Sequence, residues 1–211
     1  MSLISSFKNK QGFTLIEMVV VIGIIIIMTG VILANLPQFR SKISLDLVAQ
    51  EVAITVRQAQ VYGIATKTGL STSDDLFPSF GVYFDLAENP SNSFILFADS
   101  SNKNGRYDAL AGCFSGPSNT ECREQFLFHN GIKILNVEMC PASGSCVVPA
   151  GLALSATFIR PNFDAKFYDG DGGEIIDKDY AKITIGKDAN DVRYINVWST
   201  GHIYVSTPTT I

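Results

Sequence analysis

The sequence predicts an α+β fold: one long amino-terminal helix packed on a head of mostly antiparallel β-strands. Three observations predict it. Residues 13–36 are a run of 24 in which Glu17 is the only charge. From 38 to about 66, apolar residues recur every three to four positions, the helical repeat. After residue 70 the chain turns to short apolar and aromatic runs separated by Gly, Ser, Asn and Asp, the pattern of strands joined by turns. The expected divisions are a polar leader (1–12), a membrane-length helix (13–36), its amphipathic continuation (37–68) and a β-rich head (69–211).

The apolar run comes first. At ~1.5 Å rise per residue it spans about 36 Å, enough for the ~30 Å hydrocarbon core of a bilayer. An unpaired carboxylate at the centre of such a helix costs roughly 2.5–3.5 kcal/mol on insertion scales and less near the interface. Glu17 therefore calls for a partner. A secretory signal is cut after its apolar region, whereas here the polar-to-apolar switch falls before it, at Gly12–Phe13. A plain signal anchor is the simpler alternative, but it needs neither the glycine at the junction nor the acid five positions on. Pro37 removes one helical N–H and predicts a kink or a brief break. Beyond it Ile43, Leu47, Val48, Val52, Val56 and Ala59 form one expected stripe for packing on a sheet, with Lys42, Asp46, Gln50 and Arg57 off it. Thr68-Gly69 and the serines after it predict the helix end. Strands are expected at 80–86, 93–98, 125–129, 132–139, 152–159, 181–185, 192–198 and 202–205, the last two forming a hairpin across Ser199-Thr200-Gly201.

Gly12-Phe13-Thr14-Leu15-Ile16-Glu17-Met18, with the apolar run behind it, closely resembles the amino terminus of the type IV prepilin and pseudopilin family. The resemblance implies cleavage after Gly12 by a prepilin peptidase and methylation of the new amino terminus at Phe13. It also implies that Glu17, at the fifth mature position, faces the amino-terminal cation of a neighbouring subunit. The implied partners are the peptidase, other subunits, an inner-membrane assembly platform and lipid. The implied location is the inner membrane, single-pass with an exported head, and then a filament of a type IV pilus or of type II secretion. More loosely, Phe94-Ile95-Leu96-Phe97-Ala98-Asp99 with Asn104-Gly105-Arg106-Tyr107-Asp108, and Ile195-Asn196-Val197-Trp198 with Gly201-His202-Ile203, resemble H-type minor pseudopilins and FimT-like minor pilins. The cysteine-bearing loops between 112 and 150 depart from that group.

Net charge is −4, and without residues 1–12, which hold Lys8 and Lys10, 14 basic residues face 20 acidic ones, a net −6. This balance argues against a general polyanion-binding surface. DNA-binding members of the FimT-like group carry a basic stretch near the carboxyl end. Here no Lys or Arg follows Arg193, which argues against nucleic acid; the alternative to a structural subunit is a minor tip subunit acting as a binding module for DNA or a surface. Four cysteines in an exported head favour disulfides, with three connectivities open. The local pairs Cys113–Cys122 and Cys140–Cys146 are preferred, each pinning one Gly/Ser/Pro/Asn-rich loop.

His129 and His202 read as partly buried strand residues. Phosphate-loop, zinc-protease and nucleophile-elbow patterns are missing, so no enzyme and no resident cofactor is expected. Two acidic, Gly-containing loops are calcium candidates, one with Asp99, Asn102, Asn104 and Asp108, the other with Asp169, Asp171 and Glu174. Neither has a full ligand spacing, and solvated turns use the same residues.

Overall fold

The structure, a computed structural model, describes residues 12–65, 78–87, 92–100, 103–108, 113 and 121–208, with only the backbone at 35, 37 and 38. One helix, α1 (Leu15–Ile64), precedes nine strands. They are β1 (Ser79–Asp85), β2 (Ser93–Asp99), β3 (Cys122–Leu127), β4 (Lys133–Cys140), β5 (Ala153–Phe158), β6 (Ala165–Asp169), β7 (Tyr180–Asp188), β8 (Asp191–Trp198) and β9 (Ile203–Ser206). The α+β class is as expected, but the strands form two antiparallel sheets. One has the order β3-β2-β1-β5-β6 and the other β4-β7-β8-β9.

The chain divides into two compact units, residues 1–42 and Ile43–Ile211. In the first, the described apolar side chains face outward: Leu15 is 82% exposed, Ile16 68% and Ile27 69%. Pro37 does not end α1, which is helical on both sides of it. One missing donor removes one hydrogen bond, and long helix-forming runs flank it. The expected stop at Thr68-Gly69 lies outside the described residues.

In the second unit the carboxyl half of α1 is the centre of the core. Leu45, Ala49, Val52, Val56 and Ala59 are fully buried. They pack in one cluster with Phe80, Val82 and Phe84 of β1, Leu154 and Phe158 of β5, Ile183 of β7 and Val197 of β8. Burying each Val, Leu or Phe contributes ~1.5–3 kcal/mol, so this row of helix residues against two sheets outweighs any single polar contact. Gly63 brings the helix against β5, since a Cβ there would sit 2.5 Å from the Phe158 carbonyl oxygen. A smaller cluster covers the other face of the first sheet: Ile95, Phe97 and Tyr107, with Tyr83, Cys113 and Cys122 beside them.

Two polar pairings, Asp46 with Arg193 and Gln60 with two carbonyls, tie α1 to the second sheet and to turns of both sheets. Arg193 of β8, buried, donates through Nε to Asp46. Gln60, 2% exposed, donates from Nε2 to the carbonyls of Phe163 and Gly201, both at 3.0 Å. Gly201 is the turn residue between β8 and β9, at φ +80°. The turn closes with Gly201 N–H to Trp198 O at 2.8 Å and Trp198 N–H to His202 O at 2.8 Å. A Cβ at Gly201 would collide with Gln60 Nε2 and the Phe163 carbonyl, so this position needs glycine for both its φ and its space.

Candidate functional site

The amino-terminal segment is built around the first turn of α1. Thr14 precedes the helix, and its Oγ1 accepts the Glu17 N–H at 3.3 Å while its carbonyl accepts the Met18 N–H at 3.2 Å. Thr14 is therefore the N-cap, and Glu17 sits at the third helical position, the Thr-x-x-Glu order of a capping box. A carboxylate in the first turn also complements the positive end of the helix dipole. The same order stands in the sequence as Thr14-Leu15-Ile16-Glu17, where the stronger signal of the apolar run masks it. Glu17 thus has a local reason to be acidic besides any partner in another subunit.

Behind this cap, Leu15–Ala34 is a 20-residue stretch of mean hydropathy 2.8, none of it buried within the structure. At ~1.5 Å per residue it covers about 30 Å, long and apolar enough to cross a membrane. In comparisons with known proteins, the prokaryotic N-terminal methylation motif matches residues 7–33. The segment belongs to the type IV pilin and pseudopilin family. The match covers the pilin-type segment and not the head, and no curated protein or solved structure matches the chain. The motif supports a pilin-like or pseudopilin-like subunit, and the apolar helix behind it is consistent with membrane anchoring.

In the second unit the same pilin-type helix carries an outward stripe. Ile43, Leu47, Ile54 and Val61 are 41%, 65%, 65% and 53% exposed. At 100° per residue they fall within a narrow band opposite Val52 and Val56. This corrects the sequence reading, which put Ile43 and Leu47 on the stripe facing the sheet with Val48, Val52, Val56 and Ala59. The core row is instead Leu45, Ala49, Val52, Val56 and Ala59, and the 47–54–61 spacing of seven marks a second seam. Ile43, Leu47 and Ile54 line a groove of about 570 Å³ that Phe126 of β3 also lines.

The polar candidates serve the head. Asp99, 1% exposed, accepts at Oδ2 from Gly105 N–H (2.8 Å) and Ser79 Oγ (3.2 Å). Burial pushes its carboxyl above the usual carboxylate range, against the lowering effect of the Gly105 and Ser79 hydrogen bonds. Asp108 accepts from Arg106 Nε at 2.8 Å and Asn104 Nδ2 at 2.7 Å, and its N–H donates to Glu121 at 2.9 Å. Asp169 accepts the Gly173 N–H at 2.7 Å, and Asp171 and Glu174 are exposed. Asp99 and Asp169 hold turn N–H groups and Asp108 holds the Asn104 and Arg106 side chains, and among the described residues no three Asp, Glu, His or Cys are grouped as a metal needs. Asn102 lies outside the described residues.

Cys113 is joined to Cys122 and Cys140 to Cys146, with Cα separations of 5.4 and 4.2 Å. The histidines differ from expectation. His129 follows β3 and His202 precedes β9, both exposed. Each sits where a strand gives way to a turn, so the polar ring is placed in solvent.

Proposed function

We propose that this chain is a structural subunit of a type IV pilus or type II secretion filament, cleaved between Gly12 and Phe13, methylated on Phe13 and assembled through α1. The observation that carries the reading is Glu17, five positions after Gly12, as the single charge in the otherwise apolar, exposed stretch Leu15–Ala34 that bears the methylation motif. The charge finds its counterpart in the amino group of a neighbour's Phe13, where attraction in a low-dielectric setting fixes how far one subunit rises against the next. The outward seam at Ile43, Leu47, Ile54 and Val61 supports the same reading, because a soluble monomer gains nothing from an apolar row on its solvent face. The prepilin peptidase, other subunits, an inner-membrane assembly platform and lipid are the partners this role entails. The head acts as a minor-subunit head of the H-type or FimT-like kind.

The capping geometry supplies a sharp test. Glu17→Gln keeps the Thr-x-x-Glu/Gln cap but removes the charge. The expected result is a membrane-bound subunit whose intact mass starts at Phe13, with little or none of it in sheared filaments. Normal incorporation of the Glu17→Gln protein would mean that Glu17 serves only the helix start. A mass that still includes residues 1–12, or a cut beyond Leu36, would overturn the processing step.

A further inference from the structure

The two sheets have four edge strands, and three of them are guarded. β3 carries Arg123 and Glu124, with a register irregularity against β2. β4 carries Lys133 and Glu138, and Met139 exchanges hydrogen bonds with Val147 at 2.7 and 2.9 Å. β6 carries Lys166, and Gly173 and Ile175 pair along it through Asp169 N–H to Gly173 O and Ile175 N–H to Phe167 O. Charge, irregularity and a covering segment are the usual ways an edge is kept from pairing with another chain. β9, Ile203-Tyr204-Val205-Ser206, has no charged residue, and among the described residues nothing pairs along its outer side.

The register says which groups that edge offers. Trp198 and His202 are hydrogen-bonded across the hairpin, so the next bonded pairs with β8 are Asn196–Tyr204 and Tyr194–Ser206. Ile203 and Val205 therefore direct their N–H and C=O groups away from β8. Their side chains face the core yet are only partly buried, so the core's apolar face is left unfinished at this edge. Tyr204 points to the opposite face and is 39% exposed.

We propose that β9 pairs with β9 of a second copy of this chain, antiparallel, joining the two four-stranded sheets into one. The outward groups lie two residues apart, so they meet their counterparts when Ile203 lies opposite Val205 of the second copy and the two-fold axis passes through Tyr204. In this register every position finds a like surface. Ile and Val meet on the core side, and Tyr204 meets its own copy in a non-hydrogen-bonded pair, where Cβ atoms come within ~4.5–5.5 Å and aromatic pairs are favourable. With no charge on β9, self-pairing brings no like charges together, although the chain as a whole is acidic. The contact involves heads alone and does not depend on the filament reading.

The test uses the full-length chain in membranes, where all described cysteines are already in disulfides. Tyr204→Cys should oxidise to a covalent homodimer about tenfold more readily than His202→Cys, whose own copies lie ~13 Å apart in this register. His202→Cys mixed with Ser206→Cys should cross-link, because those positions are opposed. Adding Val205→Pro to Tyr204→Cys should abolish the dimer, since proline removes an outward N–H and leaves the β8 ladder intact. Equal cross-linking at 202 and 204, capture of a different polypeptide by the Tyr204→Cys variant, or a dimer that survives Val205→Pro would each overturn the proposal. The comparison of Tyr204→Cys with His202→Cys decides the matter even if the proline variant misfolds.

Discussion

Gln60 is the place where one side chain holds three parts of the head together, and Gln60→Ala tests that directly. Its Nε2 joins α1 to the β5–β6 loop at Phe163 O and to the β8–β9 turn at Gly201 O, each at 3.0 Å. The Gly201 bond is buried, so the carbonyl left behind finds no water and costs ~1–3 kcal/mol. The Phe163 bond is only part-buried, and water can replace the amide there at a net loss of ~0.5–1.5 kcal/mol. Together the loss is about 2–4 kcal/mol. For a unit of this size each kcal/mol moves the melting temperature by ~2–4 °C, so a drop of about 5–15 °C is expected. The assay is thermal unfolding of the purified chain in detergent, followed by near-UV circular dichroism. Gln60→Leu separates the causes: it restores most of the volume but none of the donors, so it should recover less than half of the loss. If Gln60→Leu melts with the wild-type protein, the two carbonyl contacts carry no stability and Gln60 is only a space-filler.

Two further outcomes follow from the same geometry. The double variant Leu47→Glu, Ile54→Glu should leave the melting temperature of the head within ~4 °C, because substitutions on exposed positions stay within about 0.5 kcal/mol each; in sheared filaments it should be depleted, and normal incorporation would remove the seam from assembly. Asp99→Asn keeps an acceptor for Gly105 N–H and removes a buried charge. Because burial raises the folded-state pKa of Asp99, wild-type stability is greatest below the unfolded value and falls as pH rises through the folded one. The asparagine variant should therefore gain on the wild type at neutral pH and lose that advantage as the solution is acidified towards the ordinary carboxylate range; a constant difference across that window would show that Asp99 is not held against ionisation.

Much of this fold was legible because its periods are simple. Phe80, Val82 and Phe84 alternate, and all three face the core of the first sheet. β6 escaped detection because Ala165-Lys166-Phe167-Tyr168-Asp169 is five residues long, and its two core-facing side chains are an alanine and a phenylalanine. Its place is set by pairing with the preceding strand β5 across the short 159–164 loop, which its own composition does not announce. The division of one apolar pattern on α1 into two rows was harder still. Ile43 and Leu47 satisfy the same spacing as the buried set, and only the position of the sheets tells which side of the helix is covered. The polar anchors were not legible at all: Gln60 and its two acceptors are separated by 103 and 141 residues. Glu17 was legible as an exception to the apolar run, while its place in a capping box emerged from the Thr14 contact.

The two disulfides join cysteines that are consecutive along the chain, first with second and third with fourth, over separations of 9 and 6 residues. Neither bridges the two sheets or reaches α1. If the head is exported from an anchored amino-terminal end, as the proposed function has it, each cysteine meets its proper partner before a competing one has crossed the membrane. Correct pairing then follows from the order of emergence, without reshuffling of mispaired bonds, and oxidation can be complete before the sheets close on the helix. Each bond closes its own loop and leaves the packing of α1 against the sheets to the apolar core.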